Sequence, residues 1–207
     1  MSVARSPFLI YQQFISPLQC EEIVSDLRFF EPDIDVDGNP QKMFRHSEKH
    51  EEDLYIRTQE IIPEVFGHYE CEYKGTERMM FEYLAQGVET APECGNSEFV
   101  NNQWLRIRDR DLTGFLFLSD HNDHSSFDVD YEVYGGKLEF PQHGFSLNPE
   151  RGTLVIFPSL PHFVYANSPI LAGDLFQVKL NFAAKQPYMY DPKKFPGDYR
   201  SWFVGLK

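Results

Sequence analysis

The chain has 207 residues, a formal net charge of −13 and a pI near 4.9. That length suits one domain with a substantial core, and a content of 42% apolar and 15% aromatic residues excludes a disordered chain. The acidity excludes a general binder of nucleic acid or anionic membrane, because neutralising phosphate requires basic surface.

The first apolar run, FLIYQQFI at 8–15, reads as a strand. Ser16, Pro17 and Gln19 then form a helix start, with Ser as N-cap, Pro at the first helical position and Gln at the capping-box site. The helix continues through CEEIVSDLRFF with Leu18, Ile23, Val24, Leu27 and Phe30 near one face. Residues 31–48 read as a loop. A second helix is expected over about 49–67, its apolar face made of Leu54, Ile61, Ile62, Val65 and Phe66, with Pro63 kinking or ending it. Strands are expected at 69–75 and 78–87, an irregular segment at 88–102, one or two strands at 103–120 and an acidic loop at 121–133. RIRDR at 106–110 is the one candidate basic groove, but its alternation with apolar and acidic residues reads as a solvated strand face.

Residues 134–182 form a train of short strands with turn signals every 8–12 residues, the pattern of an antiparallel sandwich or barrel. Gly152 suits a turn that needs positive φ. TLVIFP is nearly continuously apolar, and DLFQVKLNF alternates with period two. The tail, 183–207, reads as turns and a short helix. Cys20, Cys71 and Cys94, an odd count without CxxC spacing, favour reduced thiols over a disulfide framework. The first residues lack a signal peptide's apolar core and no stretch approaches the ~20 apolar residues of a membrane span, so a soluble, intracellular (cytoplasmic) protein is expected.

Four pieces in this order carry a resemblance: Leu116-Phe117-Leu118-Ser119-Asp120, Gly135-Gly136-Lys137-Leu138-Glu139-Phe140, Pro149-Glu150-Arg151-Gly152, and Phe157-Pro158-Ser159 leading to His162. Together they resemble the 2-oxoglutarate- and Fe(II)-dependent oxygenases of the prolyl-hydroxylase-like branch, and the strand–capped-helix entry at the N-terminus extends the likeness to most of the chain. The resemblance implies a mostly β protein: a double-stranded β-helix (jelly-roll) barrel with N-terminal helices packed outside. It implies one domain, with helical and strand support over about 1–75, a barrel core over about 76–182 and a tail at 183–207. It also implies Fe(II) and 2-oxoglutarate as cofactors and a protein or small-molecule substrate.

In that family iron sits between an H-x-D pair and a distal histidine, with open positions for cosubstrate and O₂. The distal position matches His162, whose imidazole must then point into the barrel. Walking back from the Arg108–Leu118 segment puts Glu93-Cys94-Gly95-Asn96 in the H-x-D-N position, so Glu93 replaces His and Gly95 replaces Asp. Glu93 could donate an oxygen and Cys94 a sulfur. A second register is the literal H-x-D of His121 and Asp123, 41 residues before His162, with His124 as a further donor. The arginine that would clamp 2-oxoglutarate is replaced by Leu175; Gln177 and Lys179 share its strand face, Lys137 is another candidate cation, and Tyr83 a candidate hydrogen-bond donor. Two functions follow: an oxygenase with an altered metal site, or a catalytically degenerate jelly-roll acting as a binding or structural module. The His121/His124 pair alone suggests a third, a cupin-like metal or sugar binder.

Overall fold

The computed structural model describes residues 5–27, 34–123 and 131–196. In chain order the elements are β1 (Leu9–Tyr11), α1 (Pro17–Leu27), β2 (Met43–Arg45), α2 (Glu48–Tyr69), β3 (Tyr73–Thr76), β4 (Met80–Leu84), β5 (Ser97–Val100), β6 (Gln103–Arg106) and β7 (Leu112–Phe117). They continue with β8 (Asp120–His121), β9 (Glu132–Gly135), β10 (Leu138–Phe140), β11 (Phe145–Leu147), β12 (Leu154–Pro158), β13 (Ala166–Asn167), β14 (Ile170–Gly173) and β15 (Leu175–Ala184).

The largest sheet has the order β1-β12-β7-β15-β4-β2, with β3 also pairing β15. Three-stranded sheets β11-β10-β13 and β14-β9-β8 lie beyond it, and β5-β6 is a hairpin of its own. This is a jelly-roll, mostly antiparallel, as the turn spacing predicts.

Period-two alternation decides what each strand shows to each side. On β7, Leu112 and Leu116 face the helices while Thr113, Phe115 and Phe117 face the barrel; on β12, Leu154 and Ile156 face the helices while Val155 and Phe157 face inward. The helix side buries Cys20, Ile23, Val24, Leu54, Val65 and Phe66 against these strands and against Phe176, Val178, Leu180 and Phe182 of β15. Part of the interior is an aromatic cluster in which Phe140 lies 4.7 Å from both Phe8 and Phe157, and Tyr165 lies 5.2 Å from Phe115.

The capping box forms as read: the Ser16 amide donates to Gln19 Oε1 (3.1 Å) and the Gln19 amide to Ser16 Oγ (3.3 Å). Gly152 takes φ +81° with Ile15 O against the place a Cβ would occupy, which is why the turn needs glycine. Five readings change. Residues 31–48, read as a loop, contain β2, which pairs with β4 at the edge of the large sheet. Leu18 is exposed, and α1 enters the core only from Cys20 onward. Pro63 does not end α2, because it lies on the solvent side, where water satisfies the carbonyl it frees, while Leu54, Ile62, Val65, Phe66 and Tyr69 hold both halves down. The stretch 88–102 is not wholly irregular, since it contains β5. Its Asn101 and Asn102, with φ of 50° and 60°, make the turn to β6. The first strand covers only Leu9–Tyr11, because positive φ at Gln13 turns the chain. Among the described residues no helix is long and apolar enough to cross a membrane, and no cysteine is paired.

Candidate functional site

β15 pairs with β7 on one side and β4 on the other, and its even-numbered residues serve the helix-side core. Its odd-numbered residues must therefore face the barrel, and three of them, Gln177, Lys179 and Asn181, are polar and buried. Burying them costs free energy unless each finds partners. Gln177 Nε2 donates to Glu82 Oε2 (2.8 Å) and Asn167 Oδ1 (3.1 Å), and Lys42 Nζ closes on Glu82 Oε1 at 2.8 Å. Thr113 Oγ1 shares a 2.6 Å hydrogen bond with Ser159 Oγ and lies 3.4 Å from Asn181 Oδ1.

Residues 93–96 lie along this polar side. Glu93 and Tyr165 exchange both backbone hydrogen bonds (2.9 and 3.0 Å), and the Asn96 amide donates to Ser159 O (3.0 Å). The Glu93 carboxylate accepts from Lys179 Nζ at 2.6 Å. That ammonium also stands 5.1 Å from the centroid of Tyr165 and 5.7 Å from that of Phe115, each an attractive π face for a cation. Burial alone would raise the Glu93 pKa, but Lys179 and then Lys42 outweigh it and hold the carboxyl at about 2. Tyr165 beside it is pushed well above the usual phenol range, by burial first and the Glu93 charge second.

The neighbours of Glu93 are equally committed. Burial raises the Cys94 pKa, and the thiol donates to Ser159 O (3.2 Å), so it offers no thiolate. A Cβ on Gly95 would lie 2.5 Å from Thr113 Oγ1 and 2.9 Å from Ser159 Cβ. Gly95→Asp, the change that would put a carboxylate back in the family's position, is therefore expected to destabilise by about 2 kcal/mol through overpacking. A urea midpoint at or above the wild-type value would refute that steric reading.

His162 does not point into the barrel as the resemblance requires. Residues 93–96 span three steps against the six from 159 to 165, and the excess is taken up by a 3-10 turn at Pro161–Phe163. The turn sends Phe163 inward and leaves His162 exposed, its ring 5.6 Å from Tyr190 and its carbonyl accepting from His143 Nε2 (2.8 Å). The second register is not assembled either. His121 Nε2 and Asp123 Oδ1 do meet, at 2.7 Å, but β7 separates them from His162. Pro158 pairs with Leu112 at one end of β7, whereas His121 lies past the other. Residues 112–121, if fully extended, would span about 30 Å at ~3.3 Å each. His124 lies outside the described residues.

The candidate cosubstrate contacts scatter. Tyr83 is on the helix side, stacked on Phe176 (4.9 Å) and donating to Asp174 Oδ1 (3.2 Å). Lys137 is half-buried and precedes Leu138, whose side chain faces inward, so alternation turns the lysine away. Leu175, at the arginine position, packs with Leu84, Val88, Val133 and Ile170. Gln177 is interior but bound to Glu82 and Asn167, and Lys179 is spent on Glu93.

Fe(II) in a two-histidine, one-carboxylate set does not fit these residues. One candidate oxygen donor is held by an ammonium, the next position has no room for a side chain, and the histidine lies outside. Among the described residues no three His, Cys, Asp or Glu side chains cluster to hold a metal. The three arginines of RIRDR are engaged by carboxylates, Arg106 with Asp111 and Asp109, Arg108 with Glu98, and Arg110 with Glu77, so no basic groove remains there. Above Glu93 opens a cleft of about 520 Å³ between residues 35–42 and 87–93. Sequence reasoning missed Lys42, Glu82, Thr113, Ser159 and Asn181; its available signal was polar residues at every second position of strands buried on both faces.

No protein-family model matches the chain, and no curated protein does. Solved structures match its fold. A viral collagen prolyl hydroxylase from Paramecium Bursaria Chlorella virus-1, in its 2OG complex, superposes with a TM-score of 0.64 at 14% identity, covering 87% of this chain and 97% of its own. A Pseudomonas putida prolyl-4-hydroxylase gives 0.62 at 12% identity over 87% and 94%. A Trichoplax adhaerens prolyl hydroxylase, in complex with a hypoxia inducible factor oxygen degradation domain peptide fragment, gives 0.59 at 12% over 98% and 88%. The strand order, the helices outside the large sheet and these superpositions agree that the chain has the prolyl-hydroxylase-like fold of the 2-oxoglutarate oxygenases.

Proposed function

We propose that the protein is a binding module on a prolyl-hydroxylase-like barrel, and that Lys179 and Glu93 neutralise each other in the region where the resemblance calls for iron. The 2.6 Å ion pair beside the sterically closed Gly95 carries this reading. The natural ligand is an extended peptide in the 520 Å³ cleft that Glu93 lines. The Trichoplax neighbour's bound peptide supports that class. Within the cleft Lys42 is already paired with Glu82, while Asp35 and Glu89 line it, so a neutral or basic peptide suits it better than an acidic one.

The test is anaerobic titration of the protein with Fe(II) and 2-oxoglutarate, followed by admission of O₂. The expected result is no metal-to-ligand charge-transfer band and no succinate above a protein-free control. A band with stoichiometric succinate would overturn the proposal. Fluorescence anisotropy with labelled basic and acidic peptides then tests the cleft, where Glu89→Lys should weaken the basic peptide.

A second reading, an oxygenase hydroxylating a protein or small molecule, is supported by the prolyl hydroxylases among the superposed structures. It predicts the band and the succinate.

A further inference from the structure

A second pocket, of about 410 Å³, opens where α2 ends and the chain leaves β15. Tyr69 and Cys71, at and just past the end of α2, line it together with Pro187, Tyr188 and the largely exposed Met189. Tyr188 is 6% exposed and rigidly held. Its amide donates to Asp111 Oδ1 (2.7 Å), and its ring meets that of Tyr69 edge-on at 5.6 Å. The Tyr69 hydroxyl is engaged, with the carbonyls of Pro7 and Ile156 at 2.8 and 3.0 Å. The Tyr188 hydroxyl has no hydrogen-bond partner among the described residues, and it is not one of the polar atoms sealed from solvent. An otherwise buried phenol whose hydroxyl stays open directs that hydroxyl into the pocket it lines. Buried tyrosines normally give the hydroxyl a partner, so this one is open to an incoming acceptor.

The rim selects against charge. Glu72 pairs with Lys185 at 2.8 Å, and Glu70 pairs with Lys194 and, at 2.8 Å, with Arg5. Two carboxylates and two ammoniums line the pocket and cancel, so an ionic ligand would lose water without gaining a free counter-charge. Burial raises both the Tyr188 phenol and the Cys71 thiol, the latter to about 11, so both present a proton rather than an anion. The volume exceeds the ~150 Å³ of a cavity that holds benzene and lies within the ~300–1,000 Å³ usual for small-molecule sites. We propose that this pocket binds a neutral, ring-sized organic molecule whose carbonyl oxygen accepts from the Tyr188 hydroxyl.

Saturation-transfer NMR titration of the full chain with acetophenone tests this. Its comparison is α-methylstyrene, which keeps the shape but carries CH₂ in place of the carbonyl oxygen. The wild type should bind acetophenone and prefer it to benzoate and to benzylammonium. Tyr188→Phe should lower the acetophenone-to-α-methylstyrene affinity ratio about fivefold, the worth of one neutral hydrogen bond. Its urea midpoint should stay at the wild-type value, since no bond within the protein is lost. Alkylation by iodoacetamide, followed by peptide mass spectrometry, locates the probe in the unmutated protein. Saturating acetophenone should slow the reaction of Cys71, with the buried Cys20 and Cys94 as internal references. A wild type that does not bind acetophenone, or that binds benzoate more tightly, overturns the proposal. So does an affinity ratio unchanged in Tyr188→Phe, or a Cys71 that acetophenone leaves unprotected.

Discussion

Asp111→Ala is expected to destabilise the protein by about 4 kcal/mol, because it strips two buried amides and an arginine of their acceptor at once. The Asp111 side chain is fully buried, and its oxygens accept from the Ala184 amide (2.8 Å), the Tyr188 amide (2.7 Å) and Arg106 Nη1 (3.0 Å). Those bonds tie the end of β15, the segment after it and the base of the β5–β6 hairpin to one carboxylate. Asp111→Asn keeps one acceptor oxygen but turns an NH₂ toward an amide, so it should lose about half as much. Urea denaturation measures both. Limited trypsin digestion should find new cleavage at Arg106 and Arg108 in the alanine variant, and an unchanged digest would show that Asp111 does not anchor the hairpin.

Breaking the Lys179–Glu93 pair should be asymmetric. The Lys179 side chain is 5% exposed and that of Glu93 41%. Glu93→Ala leaves an ammonium buried with two aromatic faces and no counter-ion, and should cost about 3 kcal/mol. Lys179→Met leaves a carboxylate that can turn toward water, and should cost about 1 kcal/mol. The double variant should be less destabilised than the sum of the singles, and simple additivity in the double-mutant cycle would refute the coupling.

The same pair sets a pH dependence. Glu93, facing Lys179, Lys42 and Tyr165, has its folded pKa depressed from 4.5 to about 2. Its stabilisation is thus complete above the ordinary value and lost as pH falls from about 4.5 toward 2. Wild-type stability should decline more steeply across that window than that of Glu93→Gln.

The polar interior carries the functional argument as well as the stability argument. A barrel with buried Gln177, Lys179 and Asn181 could hold a cofactor or could satisfy itself, and here Glu82, Asn167 and Glu93 leave Gln177 and Lys179 committed. The aromatic remainder of the interior, built from Phe8, Phe140 and Phe157, provides rigid packing rather than chemistry.

Much of this protein was written in local pattern. The capping box at Ser16, the two helices, the glycine turn at 152 and the alternation in DLFQVKLNF depend only on neighbours in sequence, so each could be read directly. Alternation even announced that Gln177 and Lys179 share a face. What alternation does not carry is which distant strand meets that face. Glu93 precedes Lys179 by 86 residues, and only the pairing of β15 with β7, and of Glu93 with Tyr165, brings their charges to 2.6 Å. The fate of His162 was likewise tertiary. Its place after Phe-Pro-Ser suggested an inward ring, but the mismatch between residues 93–96 and 159–165 forced a 3-10 turn that exposes it. Residue spacing encodes the strands, whereas the lengths of opposed segments, set by long-range pairing, decide which side chains reach the interior.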